Sequence, residues 1–197
     1  MSLAEQQGAS VLTGAGWAVK KLAAPPLIAP ARQFTFPFAV PGEEEALARG
    51  SVWLEVRAEG AGTWLGQCAV GFAGAGTASG LWPLPEADAL LACAGGYAYT
   101  VQPLAPEKTV LLPPRPAVGI VALPARTVLV THHALVVREA GGELWTTPRL
   151  SWEGVTLIGV EGDALHGTGW NLFDDAEVEF TVDLRSRSVS GGGYSAC

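Results

Sequence analysis

The sequence predicts an all-β protein: an antiparallel β-sandwich or barrel built from many short strands. Three observations predict it. Apolar and polar residues alternate with a period of two along several runs. Gly 25 and Pro 14 are spread along the 197 residues, the punctuation of many short elements joined by tight turns. A sustained helical period of 3.6 is missing, so nothing competes with the strand pattern. A small propeller-like array of about 40-residue units is the alternative architecture.

The chain is long enough for one sizeable core and short for two ordinary domains. Residues 1–32 mix Ala, Gly, Gln and Pro and read as an extended or partly mobile N-terminal arm. Residues 33–197 read as a single β domain. One two-turn helix is expected at Glu43–Arg49, where acidic residues come first, Arg49 comes last and Gly50 follows.

From Ser51 onward the period of two dominates. Val52, Leu54 and Val56 share one face of a strand, and Trp53, Glu55 and Arg57 share the other. Trp64, Cys68, Val70 and Phe72 share a face in the next run. The cleanest run is Glu177–Leu184. There Val178, Phe180, Val182 and Leu184 oppose Glu177, Glu179, Thr181 and Asp183, the mark of a strand with one wet face. Turns are expected at Glu59–Gly62, Gly74–Gly76, Gly95–Gly96, Gly141–Gly142, Glu161–Asp163 and Asn171–Asp175. Leu84-Pro85 and Leu123-Pro124 each precede a similar apolar stretch. That weak repeat aligns the Gly95-Gly96 turn with His132-His133.

Charge narrows the function classes. The formal net charge is −7 and the chain holds three lysines. This is a poor electrostatic footprint for nucleic acid or an anionic membrane, so neither is an expected partner. No apolar run reaches the ~20 residues of a membrane span. Lys20, Lys21 and Leu22–Ala31 imitate a secretory signal, but they begin far from Met1, and Pro25, Pro26 and Pro30 interrupt them. Cys68, Cys93 and Cys197 form no metal-ligand spacing and leave an odd count; Cys68 and Cys93, inside apolar runs, are expected to be buried free thiols, which favours a cytoplasmic setting.

Reactive constellations are sparse. Gly71–Gly76 is glycine-rich without a following Lys-Ser/Thr, so it is no phosphate loop. A Gly-x-Ser-x-Gly elbow is absent. His132 and His133 would point to opposite faces of a strand unless a hairpin tip carries them. His166 stands without a partner motif. Asp174 and Asp175 lie in the Asn171–Asp175 turn, where side-chain oxygens could converge on a cation, yet the set is too small for a calcium loop. No cofactor and no metal are expected. Trp53 lies on the charged face of its strand, where an aromatic can serve as a contact residue. Arg149 and Glu153 could pair beside Trp152 and fix a strand entry, with the guanidinium stacked on the indole.

The segments Gly95–Tyr99, Trp145–Val155 (with Arg149-Leu150-Ser151-Trp152-Glu153 inside it), Gly167 and Phe180-Thr181-Val182-Asp183-Leu184-Arg185 carry a likeness. Over roughly residues 80–193 the chain resembles a family of predominantly bacterial proteins without known activity. The resemblance implies a shared β fold and assigns no reaction. The candidate binding residues are therefore Trp53, Arg149, Trp152, Glu153, His166, Asp174 and Asp175. The expected function is a non-catalytic module that binds a protein partner. A domain that binds carbohydrate or another small molecule, and a hydrolase with a scattered His/carboxylate site, are the alternatives.

Overall fold

The computed structural model describes residues 8–36, 46–71 and 76–194. Among these, seventeen strands form four sheets, and the only other regular elements are two short 3-10 turns. The fold is all-β, with many short strands. The chain divides between Ala117 and Val118 into two compact units, where the sequence reading has a single β domain.

In the first unit, β1 (Val11–Gly14), β2 (Trp17–Leu22), β3 (Arg32–Phe36), β4 (Ser51–Ala58) and β5 (Gly62–Ala69) form one sheet in the order β1-β2-β4-β5-β3. All neighbours are antiparallel except β3, which runs parallel to β5. The second sheet is a meander of β6 (Gly80–Pro83), β7 (Leu90–Ala94), β8 (Tyr97–Val101) and β9 (Val110–Leu111). The alternation read along β4 holds: Leu54 and Val56 are fully buried and Arg57 is exposed. They share a core with Trp17, Val19, Trp64, Tyr97 and Tyr99. Polar tips inside this core are paired. The Trp64 indole donates to the Pro103 carbonyl at 2.8 Å, and the Tyr99 hydroxyl to the Ala69 carbonyl at 2.8 Å.

Two expectations change here. Residues 11–22 do not form an arm. They make the β1–β2 hairpin, which turns at Ala15–Gly16 with Gly16 at φ 76°, and its Trp17 and Val19 enter the core. The helix expected at Glu43–Arg49 is a single 3-10 turn, Ala46–Arg49, in the part that lies within the described residues. Phe72, part of the Gly74–Gly76 turn and Cys197 lie outside them.

The second unit pairs two four-stranded meanders. One holds β10 (Gly119–Leu123), β11 (Arg126–Val130), β12 (Leu135–Glu139) and β13 (Leu144–Thr146). The other holds β14 (Val155–Glu161), β15 (Ala164–Asn171), β16 (Ala176–Asp183) and β17 (Ser188–Gly191). Val128, Val137, Leu165, Phe180 and Val182 from both sheets fill one core. β16 follows its sequence pattern: Phe180 and Val182 are buried, and Glu177 and Glu179 are exposed. The weak repeat is structural, since β7–β8 and β11–β12 are the middle hairpins of successive meanders. No helix among the described residues is long and apolar enough to cross a membrane.

Candidate functional site

The most developed surface feature lies at one end of the second unit. The chain between β13 and β14, residues 147–154, has no strand partner of its own and is tied down residue by residue. The Leu150 amide donates to the His133 carbonyl at 2.7 Å, and the Gly193 amide to the Leu150 carbonyl at 2.7 Å. The Trp152 amide donates to the Trp170 carbonyl at 3.0 Å, and the Gly154 amide to the His132 carbonyl at 2.9 Å. Ser151, fully buried, accepts the Trp170 amide on its hydroxyl at 2.8 Å. β14 pairs with β15 only as far as Val155 opposite Gly169. Ser151 and Trp152 thus complete the hydrogen bonding of Trp170, one residue beyond the end of that ladder.

Glycine permits the close approach. A Cβ on Gly169 would overlap the Leu150 carbonyl oxygen, and a Cβ on Gly193 would overlap the Gly169 carbonyl oxygen. The buried Leu150 and Ser151 anchor the corner, and Arg149 and Glu153 beside them are exposed.

Arg149 braces this corner. Its Nε donates to the Ser151 carbonyl at 2.9 Å and one terminal nitrogen to the Trp152 carbonyl at 2.7 Å. The same nitrogen lies 3.4 Å from Nδ1 of His133. The guanidinium carbon stands 4.6 Å from the centre of the Tyr194 ring and 5.1 Å from that of Trp152. The Arg–Trp stacking anticipated from sequence is present. The Arg149–Glu153 pair is not: Glu153 is exposed, and among the described residues Arg149 pairs with no carboxylate. A four-residue spacing brings side chains together on a helix. In this irregular corner the carbonyls two and three residues ahead are closer acceptors.

Three aromatic rings meet beside the guanidinium. Trp152 packs 4.8 Å from Tyr194, centre to centre, and receives Phe173 edge-on at 5.6 Å. Phe173 reaches it from the β15–β16 turn, whose shape is fixed by its own polar residues. Asn171 accepts the Phe173 amide at 2.9 Å and donates to Asp174 at 2.8 Å. Asp175, at φ 48°, accepts the Trp170 indole N–H at 3.2 Å. The two candidate carboxylates are thus engaged in building the turn. Among the described residues no group of three or more His, Cys, Asp or Glu is placed to hold a metal. Phe173 remains 62% exposed and its neighbour Leu172 48%. The Trp152 indole nitrogen is buried and has no hydrogen-bond partner among the described residues.

His166, Asp163 and Trp53 lie elsewhere. His166 sits directly across from Thr181 on β16 and bonds its hydroxyl at 3.1 Å. Asp163 lies in the β14–β15 turn, where Arg126 bridges it and Glu139 at 2.8 and 2.9 Å. That turn is at the opposite end of β15 from the Asn171–Asp175 turn, about 25 Å away at the strand rise. The register therefore keeps Asp163 apart from Asp174 and Asp175. His132 and His133 occupy the exposed β11–β12 turn, with ring centres 6.4 Å apart. Trp53, half-buried in the first unit, stands between Leu22 and Gln67 in the sheet register.

Sequence reasoning named Arg149, Trp152, Asp174 and Asp175 and missed Ser151, Phe173 and Tyr194. A Leu-Phe pair inside a turn otherwise made of Asn and Asp was the available signal for Phe173. Comparison with known proteins finds no matching family model, curated protein or solved structure.

Proposed function

We propose that this chain is a non-catalytic binding module, and that it engages a protein partner through Arg149, Trp152, Phe173 and Tyr194. The observation that carries this reading is Phe173. It is held 62% exposed at the apex of a hydrogen-bonded turn, edge-on against Trp152 and next to a braced arginine. Trp, Tyr and Arg are the residue types that dominate binding energy at protein interfaces. The side chains are ordered before any partner arrives, which lowers the entropy lost on association. Arg149 brings a positive charge that no carboxylate among the described residues neutralises, so a carbonyl-rich segment of the partner has a donor to meet.

The test is site-specific photo-crosslinking in the source organism. A benzophenone side chain in place of Phe173 is expected to capture one discrete protein, and capture is expected to fall when Arg149→Ala is added. The same probe in place of Val110, an exposed residue of the other unit, is the control. Equal labelling from both positions would refute the reading. Oligosaccharide binding lost in Trp152→Ala would replace it with a carbohydrate-binding one.

A further inference from the structure

We infer that the partner of this platform is a second copy of the chain, whose proline-rich β2–β3 loop docks on Trp152, Phe173 and Tyr194. The inference rests on the binding role proposed above and names its occupant. Residues 23–31 link β2 to β3, and their Leu27 and Ile28 are 107% and 90% exposed, more than any other large apolar residue described. Pro25, Pro26 and Pro30 fix φ at three positions in this loop, so less freedom is lost on docking than in an unrestrained loop of its length. Proline and aliphatic side chains of such segments characteristically pack on exposed aromatic rings.

Charge selects the same pairing. The loop is flanked by Lys20, Lys21 and Arg32, and no acidic residue occurs between Trp17 and Phe36. The platform is rimmed by Glu153, Asp174, Asp175 and Glu177, all exposed. A basic apolar loop and an acidic aromatic platform on one chain are complementary between copies. Loop and platform are different surfaces, so a single contact between two copies leaves one of each free.

Light scattering after size exclusion, on the full chain over a range of concentrations, tests this. The mass is expected to rise above the 20.4 kDa monomer with concentration and to fall back in high salt. The double variant Leu27→Asp/Ile28→Asp and the single variant Phe173→Asp are each expected to be monomeric, with association weakened about tenfold or more. Circular dichroism unchanged from the parent chain shows that the variants fold. Mixed together, the two variants are expected to form a dimer and nothing larger, because one intact loop and one intact platform remain. A parent chain that stays monomeric at every concentration overturns the inference, as does a mixture that fails to pair. A monomer that still gives a discrete heterologous crosslink at position 173 overturns the self-docking alone and leaves the proposed binding role standing.

Discussion

Replacing Ser151 by alanine isolates the contact that seats the Arg149–Trp152 corner. The Ser151 side chain is fully buried, and its hydroxyl is the acceptor for the Trp170 amide at 2.8 Å. The methyl of alanine fits the same space but accepts nothing. Leaving the half-buried Trp170 N–H without this partner costs up to about 1–3 kcal/mol. At about 2 kcal/mol, and with about 4–8 °C lost per kcal/mol in a unit of this size, the second unit should melt about 8–16 °C lower. Calorimetry reads that shift, and amide exchange of Trp170 locates it, because a donor that loses its acceptor also loses protection. Ser188→Ala is the control. Its hydroxyl bonds the Ser186 hydroxyl at 2.9 Å on the surface, so its effect should stay within about 0.5 kcal/mol. An unchanged melting temperature, or a Trp170 amide as protected in Ser151→Ala as in the parent, would refute the assignment of Ser151 as the corner's fastener.

Two further outcomes are expected. Burial pushes the Cys68 thiol from 9.0 up to about 12 and raises Cys93 as well, so the native state holds both protons after the unfolded chain has released them. Stability should therefore be full below about pH 9 and decline between pH 9 and 12, by up to about 1.4 kcal/mol per pH unit for each thiol. Urea titrations across that range check it, and thiol labelling at neutral pH should reach neither residue before unfolding. In the second unit, a Cβ on Gly167 would overlap the Thr156 carbonyl oxygen and the Phe180 ring, whereas one on Gly141 meets nothing within 4 Å. Gly167→Ala should cost about 1–3 kcal/mol or more and Gly141→Ala less than about 0.5 kcal/mol by chemical denaturation.

Strand character was legible wherever a strand has one wet face. β16 could be read residue by residue because Glu177 and Glu179 alternate with Phe180 and Val182 in a sheet covered on one side. β5 was legible only in half. Trp64 and Cys68 face the shared core, but Leu65, on the opposite face, is buried too. The alternation that marks a face disappears when both faces are covered. The β1–β2 hairpin was missed for a different reason. Its signal is four residues long, with Trp17 and Val19 buried and Lys20 exposed, inside a stretch of Ala, Gly and Pro that matches disordered composition. The decision there belongs to β4, which pairs with β2 along six residues from Trp17 to Leu22.

The corner at residues 147–154 shows why its motif was only half readable. Side-chain pairs can be anticipated when an element has a period, and this segment has none. Its order comes from partners distant in sequence: Trp170 for Ser151 and Trp152, His133 and Gly193 for Leu150, His132 for Gly154. Each partner is a backbone group or a glycine, and neither carries a side-chain pattern to read. Arg149 then takes the carbonyls of Ser151 and Trp152, which only a bent chain brings within reach. The same bend turns Trp152 toward Phe173 and Tyr194, residues from two other segments. A serine that looks like an isolated polar residue is thus the hinge pin of the platform. Its loss should loosen the Trp152–Phe173 contact before it unfolds the sheet, and weakened binding at Phe173 should precede loss of structure as Ser151→Ala is warmed.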